Sequence, residues 1–202
     1  NTKRQVKKMS FNVTALPGAT FGGLLTAPIN AADLIFLAEA SPTSLPLLLN
    51  EFNGFLLIKG MEMLEEKPEL FLRLSQIFGT EVESYKETRM TPQNVHPEIP
   101  EILMVSNIPP ADRKPPAQPN PPRNPDGSLP IQFPHRRGWH TDQSYRRPPP
   151  DISLFFCVVP APKGQAQTLY ANGIAAYEGL TLEMKTRINS LVGIHAKPGV
   201  GR

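Results

Sequence analysis

The sequence is poor in cysteine, and this excludes two kinds of covalent or metal-based stabilisation. Cys157 is the single cysteine of the chain, so neither an internal disulfide nor a zinc site built from cysteines can form. It lies within the apolar run 154–159. We therefore expect the Cys157 side chain to be buried as a small hydrophobic residue.

The chain also lacks long apolar runs and a large charge of one sign. No apolar run reaches the length that crosses a bilayer, and no signal-peptide core directly follows the basic start at residues 1–8. The net charge of +3 is too small and too scattered to indicate nucleic acid as a partner. We therefore expect a cytoplasmic protein that binds neither a membrane nor nucleic acid.

Proline is abundant, and its distribution is uneven. The chain has 202 residues, 40% of them hydrophobic, which is typical of one globular domain with a sizeable core. More than half of its 24 prolines lie between Pro109 and Pro150. The segment 109–134 has almost no apolar periodicity, and a stretch of this kind within a domain is usually a functional lid or a disordered linker. We interpret residues 1–202 as a single domain with a Pro-rich lid or insertion at about 109–137.

The apolar pattern predicts both strands and helices. We expect strands at residues 11–16, 55–59, 102–106, 151–159 and 168–170. We expect helices at residues 31–53 (interrupted by Pro42 and Pro46), from Pro68 to Gly79, and at 173–180 and 182–192. Strands dominate the second half of this prediction. The pattern favours a mixed α/β protein with a mainly β core, a β-sandwich or jelly roll with helices on one face.

A histidine and an aspartate two residues apart, His140 and Asp142, are the first candidates for chemistry. On an extended backbone, side chains at this spacing point to the same side, about 7 Å apart along the chain. Two nitrogen donors and one carboxylate on one face of an octahedron suit non-haem Fe(II), which needs open positions. The spacing alone leaves a second reading open, a surface turn with two unrelated polar residues.

The residues around this pair resemble a known family in two ordered stretches. Trp139-His140-Thr141-Asp142, followed by three prolines and a predicted strand, resembles the proximal iron motif of the taurine dioxygenase (TauD/TfdA) family. Residues 167–178 (QTLYANGIAAYE) resemble the family's second signature, and 54–60 (GFLLIKG) and 70–79 are similar to its first core strand and the following helix. The resemblance runs from about Phe11 to His195.

The resemblance implies a fold and a reaction. The fold is a double-stranded β-helix, or jelly roll, that holds Fe(II) through His140 and Asp142. Thr168 matches the threonine that hydrogen-bonds the distal carboxylate of 2-oxoglutarate, the cosubstrate; a β-branched strand residue is the alternative. The reaction consumes O₂ and converts 2-oxoglutarate to succinate and CO₂ while a C–H bond of a small molecule is hydroxylated. The presence of Asp142 favours hydroxylation over halogenation.

Several features depart from the family or leave alternatives open. The third iron ligand, a distal His, and the arginine that pairs with 2-oxoglutarate would lie beyond Arg202, so we expect the native protein to be longer. Residues 164–167 (GQAQ) replace the usual Gly-Gly-Asp before Thr168, which weakens that assignment. We expect His195 to be a packing or surface residue. The basic residues His135, Arg136 and Arg137 either steer an anionic substrate or form a solvated basic run.

Two other functions compete with the oxygenase. The first is a non-catalytic interaction protein on a degenerate oxygenase fold that binds a partner through the Pro-rich segment, which contains Pro116-x-x-Pro119. The second is a zinc hydrolase built on His140, Asp142 and one of His96, His135 or His195, for which no recognisable zinc spacing exists. The sequence leaves the substrate and the question of a homo-oligomer open.

Overall fold

The computed structural model describes residues 10–27, 30–86, 95–105, 125–127, 139–160 and 168–195. They divide into two compact units. The first comprises Asn1–Met104 and Leu154–Ser190, and the second Val105–Ser153 and Leu191–Arg202. The Pro-rich segment at about 109–137 lies almost wholly outside the described residues. The expectation of one domain with a lid or insertion therefore stays a prediction.

All helices and strands of the described residues lie in the first unit. The strands are β1 (Asn12–Ala15), β2 (Gly23–Ala27) and β3 (Leu56–Ile58). The helices are α1 (Ala31–Ala40), α2 (Ser44–Glu51), α3 (Met63–Glu66), α4 (Pro68–Gln76), α5 (Gly173–Glu178) and α6 (Leu182–Asn189). The strands form one sheet in the order β1-β2-β3, in which β2 runs antiparallel to β1 and parallel to β3. A parallel pair needs a long crossover, and α1 and α2 supply it between β2 and β3.

Two adjacent glycines let β2 begin close to the chain that leads into β3. Gly22 has a φ of +98°, a conformation that side chains rarely adopt, and a Cβ there would lie 2.8 Å from the Phe55 ring. A Cβ at Gly23 would lie 2.7 Å from the Phe52 ring. The Gly22 and Gly23 positions therefore have room for no side chain, and the two phenylalanines pack directly against this backbone.

Capping and proline positions explain the bounds of the first helices. The Asn30 side chain accepts a 2.9 Å hydrogen bond from the Asp33 backbone N–H and so caps α1. Helix α1 ends at Ala40, just before Pro42. Pro46 lies in the first turn of α2, where backbone N–H groups have no partner within the helix, so no hydrogen bond is lost. The predicted interruption of this helical stretch is confirmed, although Pro46 falls inside the second helix.

The core of the first unit lies between β2 and helices α1 and α4. Leu25 of β2 is fully buried together with Leu34 and Ile35 of α1, and Leu74 of α4 joins them. Helix α1 packs against α4. At the rim of this contact, Arg73 donates hydrogen bonds of 2.7 and 2.9 Å to the two carboxylate oxygens of Glu39. The apolar spacing that predicted α4 therefore serves to bury one face of this helix.

The sequence-based prediction was correct for most elements of the first half. Strands at residues 11–16 and 55–59 correspond to β1 and β3, and the helix from Pro68 corresponds to α4. The predicted helices 173–180 and 182–192 correspond to α5 and α6, each slightly shorter. Strand β2 and the single turn α3 were not predicted.

The prediction that strands dominate the second half was wrong for the described residues. Residues 151–159 and 168–170 form no strand, and 102–105 contribute only the isolated bridge between Val95 and Leu103. Leu154 and Phe156 do pack on the core while Phe155 between them is exposed, as in a strand. No described segment pairs with this backbone, however, and a strand is defined by its hydrogen-bonded neighbour.

Two expectations therefore change. Cys157 is exposed rather than buried, because the alternation places it on the same side as Phe155, away from the core. The mainly β core is also not observed: the described residues form a mixed α/β structure with a small three-stranded sheet and several helices. The jelly roll that the resemblance implies is not confirmed by them.

The helices of the described part of the chain are short. No single helix there is long and apolar enough to cross a bilayer. Helices α1 and α2 meet the length and composition criteria only when taken together, and they are bent by 101° relative to each other.

Candidate functional site

The side chains of His140 and Asp142 converge in the second unit. Nε2 of His140 lies 3.1 Å from Oδ1 of Asp142. Both side chains are accessible, with exposed fractions of 52% and 68%. Trp139, immediately before the pair, is exposed as well. A histidine nitrogen and a carboxylate oxygen are therefore presented to solvent side by side.

The pair lies at the start of a turn and not in a strand, since His140 and Thr141 precede the turn. Asp142 begins a turn that runs through Tyr145. Gln143 has a φ of +51°, in the left-handed region that few residues other than glycine adopt. The backbone N–H of Arg146 donates a 2.9 Å hydrogen bond to the Gln143 carbonyl and closes the turn. The two donors therefore meet where an irregular segment enters a turn.

A long-range hydrogen bond reaches the same turn. Nδ1 of His195 lies 2.8 Å from Oγ of Ser144, which is 51 residues away in sequence. Ser144 follows Asp142 by two positions. The expectation that His195 is a packing or surface residue is consistent with its exposure, but its ring also has a specific partner next to the candidate donors. No local pattern in the sequence indicates such a contact.

The donor pair matches the spacing of two metal ligands. The 3.1 Å separation is that of a hydrogen bond between the His140 ring and the Asp142 carboxylate, and it is also close to the roughly 3 Å between two donors that bind one divalent ion at about 2.1 Å and at right angles. Imidazole nitrogen and carboxylate oxygen are the donor types of a non-haem iron site. Among the described residues, no group of three or more His, Cys, Asp or Glu side chains could hold a metal ion. The pair fits two of three ligand positions, and its assignment to iron stays a prediction.

Thr168, the candidate 2-oxoglutarate contact, lines a pocket of about 350 Å³ in the first unit. The pocket is lined by Leu16, Ala19, Phe21, Phe55, Leu57, Thr168, Leu169 and Tyr170. The Phe55 and Tyr170 rings lie 4.6 Å apart between centroids, and Phe21 lies edge-on to Phe55 at 6.1 Å. None of these lining residues carries a charge, so an arginine that pairs with a bound carboxylate is not among them.

The remaining candidates are divided between described and undescribed parts of the chain. His135, Arg136, Arg137, residues 164–167 and the Pro116-x-x-Pro119 motif lie outside the described residues. In the first unit, Nδ1 of His96 accepts hydrogen bonds from the backbone N–H groups of Glu98 and Ile99. His96 therefore stabilises a local turn, which gives the zinc-hydrolase reading no support from this residue.

Sequence comparison identifies the class of protein. The sequence model of the Taurine catabolism dioxygenase TauD, TfdA family matches residues 14–202, nearly the whole chain. The chain belongs to this family, and the resemblance inferred from the two signatures is confirmed.

Two curated relatives are each 28% identical to the chain. The first is "Alpha-ketoglutarate-dependent sulfonate dioxygenase" of Saccharomyces cerevisiae, aligned over 168 residues that make up 83% of this chain and 36% of the yeast protein. The second is "Pentalenolactone F synthase" of Streptomyces arenae, aligned over 189 residues, 91% of this chain and 53% of the bacterial protein. The chain thus spans between about a third and about half of the length of these relatives. No solved structure matches the chain.

Proposed function

We propose that this chain carries part of the active site of an Fe(II)- and 2-oxoglutarate-dependent oxygenase that hydroxylates a C–H bond of a small organic molecule. The observation that carries the proposal is the 3.1 Å approach of His140 Nε2 to Asp142 Oδ1, in a chain of the TauD/TfdA family. Both side chains are exposed, so an ion can reach them without rearrangement of a core.

The two donors have the role of iron ligands in this proposal. His140 would hold the ion through Nε2 and Asp142 through its carboxylate, which would offset one of the two positive charges of the ion. When bound, Fe(II) would activate O₂, the oxidant that couples decarboxylation of 2-oxoglutarate to hydroxylation of the substrate. Asp142 begins the turn that runs to Tyr145, and His140 lies two residues before it.

Thr168 has the role of a cosubstrate contact. Its hydroxyl can donate a hydrogen bond to the distal carboxylate of 2-oxoglutarate. The surrounding pocket walls are apolar, and aromatic rings of Phe55 and Tyr170 pack beside one another there. Such walls exclude water from the methylene groups of a bound dicarboxylate and strengthen a hydrogen bond formed among them.

The fold and the substrate class extend the proposal. The proposal of a jelly roll is based on family membership. The described residues contribute the three-stranded sheet β1-β2-β3. The names of the two relatives refer to a sulfonate and to pentalenolactone F, so they indicate no common substrate. We therefore propose only a small organic substrate and O₂ as partners. The Pro-rich segment at about 109–137 is proposed as a lid.

The test combines metal binding with turnover. Purified protein is titrated anaerobically with Fe(II), and succinate release is then followed with 2-oxoglutarate, O₂ and a panel of small sulfonates and carboxylates. We expect stoichiometric iron and iron-dependent succinate, and we expect His140→Ala and Asp142→Ala to remove both. His96→Ala is the matched control. His96 stabilises a turn of the first unit, so this substitution should leave iron binding intact. Normal iron binding and turnover in His140→Ala would show that the assignment is wrong.

The second function that the sequence leaves open is a non-catalytic module that binds a partner through the Pro-rich segment. A binding module of this kind should hold no stoichiometric iron after purification with Fe(II) present, whereas the proposed oxygenase should. Metal analysis of the purified protein therefore separates the two functions.

A further inference from the structure

The turn that begins at the candidate iron ligand Asp142 is partly exposed. His140 and Asp142 are exposed, and the residue that follows them, Gln143, has a φ of +51°. A left-handed residue other than glycine persists where its surroundings hold the backbone in place. The hydrogen bond from the Arg146 N–H to the Gln143 carbonyl is local and links residues only three apart. A contact with a residue distant in sequence can add to what holds this backbone.

His195 supplies such a contact. Its Nδ1 lies 2.8 Å from Oγ of Ser144, the residue directly after Gln143. The two residues are 51 positions apart and both belong to the second unit. The hydroxyl either donates to a bare Nδ1 or accepts from a protonated one, and both arrangements give the same link. Gln143, with its left-handed backbone, thus lies between the donor Asp142 and Ser144, whose hydroxyl is hydrogen-bonded to His195.

A glycine allows the imidazole of His195 to occupy this position. A Cβ built on Gly193 would lie 3.3 Å from Nε2 of His195, closer than most side-chain contacts. The chain therefore folds back so that the ring lies over a backbone without a side chain. The Nδ1 nitrogen faces Ser144, and the Nε2 nitrogen lies on the Gly193 side.

We propose that His195 is a positioning residue for the metal site and acts through Ser144. It holds the turn from Asp142 to Tyr145 so that the donor atoms of His140 and Asp142 stay about 3 Å apart before a metal binds. This proposal rests on the proposed function, because it assigns a role towards the same iron. A preformed donor pair loses less conformational freedom when the ion binds, and this raises the affinity for the metal.

The first experiment measures Co(II) affinity by calorimetry, since Co(II) is stable in air and takes the same donor types. We expect Ser144→Ala and His195→Phe each to weaken binding about 2- to 10-fold, the range that corresponds to one net hydrogen bond. The double variant should bind no more weakly than the weaker single variant, because both changes remove the same link. Ser144→Thr retains the hydroxyl, and His195→Asn retains a nitrogen or oxygen near the position of Nδ1. Both variants should keep most of the Co(II) affinity.

A matched control uses another exposed serine hydroxyl. Ser190 Oγ donates a 2.9 Å hydrogen bond to the Arg187 carbonyl at the end of α6, and Ser190→Ala should leave Co(II) affinity unchanged. Unchanged affinity in both Ser144→Ala and His195→Phe would overturn the proposal. So would complete loss of binding in His195→Phe with normal binding in Ser144→Ala, because His195 would then be a ligand itself.

The second experiment does not depend on metal. Hydrogen exchange of the Arg146 amide reports closure of the turn, and we expect faster exchange in Ser144→Ala and His195→Phe without added metal. If the native protein bound neither Co(II) nor Fe(II), the proposed function would be wrong. Faster exchange in the variants would then show only that His195 anchors the turn, with no role at a metal site. If metal bound normally and exchange were unchanged, the proposed function would stand and the role of His195 would be wrong.

Discussion

The two ends of the described chain use their apolar residues in different ways. In residues 10–86, apolar side chains from β2, α1 and α4 meet in a core, and every buried apolar residue of the described chain lies between Leu25 and Leu74. In residues 139–160 and 168–195, no described residue is buried, and most of the exposed large apolar side chains are found there. Among them, Val159 and Ile194 are more than four-fifths exposed.

The difference shows two ways of holding a helix. Helix α1 buries one face against α4, and burial of this kind supplies most of the stability of a helix in a protein. Helices α5 and α6 bury no residue, and their ends are held by local hydrogen bonds. Asn172 and Thr181 cap their first turns, and the Tyr177 hydroxyl donates a 3.0 Å hydrogen bond to the Asn189 side chain. We expect substitutions in the two regions to have effects of correspondingly different size.

The largest effect is expected in the core of the first region. Leu34 is fully buried in α1, and Leu34→Ala should lower the free energy of unfolding by about 2 to 5 kcal/mol through lost burial and a residual cavity. Phe36 lies two residues later on the same helix and is 65% exposed. Phe36→Ala is therefore the control, with an expected change of less than about 0.5 kcal/mol in urea unfolding. Equal effects for the two substitutions would contradict the described core.

An intermediate effect is expected where the second region contacts the core. Phe156 packs on the core and lies 6.2 Å from the Phe71 ring, whereas its neighbour Phe155 is 68% exposed. Phe156→Ala should destabilise the protein by about 1 to 3 kcal/mol, since the ring is only partly buried. Phe155→Ala removes the same atoms from an adjacent position and should change stability by less than about 0.5 kcal/mol. A larger loss for Phe155 in chemical denaturation would show that its side chain is covered in solution.

The smallest global effect is expected for a helix cap in the second region. Asn30→Ala removes the cap of α1 and should lower the free energy of unfolding by about 1 kcal/mol. Thr181→Ala removes the equivalent 3.2 Å bond to the Met184 N–H, but α6 adds little to the core. We expect Thr181→Ala to speed amide exchange within α6 while the midpoint of global unfolding stays nearly constant. A shift as large as that of Asn30→Ala would show that α6 unfolds together with the core.

Local signals in the sequence predicted much of the first region. The apolar spacing of Leu70 and Leu74 with Pro68 at the start predicted α4, and Pro42 predicted a break in the helical stretch. Strand β2 was missed because its position depends on the close approach of Phe52 and Phe55 to Gly22 and Gly23, which lie about thirty residues before them in sequence. Strands 151–159 and 168–170 were predicted from side-chain alternation, yet alternation says nothing about whether a neighbouring strand pairs with the backbone.

The sequence by itself determined the family and the candidate residues, because residue type and spacing at His140, Asp142 and Thr168 are properties of a short stretch of chain. The tertiary structure decided what those residues meet. It brought the His140 and Asp142 donors to 3.1 Å at the start of a turn, and it placed the His195 ring against Ser144 across 51 residues. Contacts between distant segments depend on the path of the whole backbone, so no local pattern of residues encodes them.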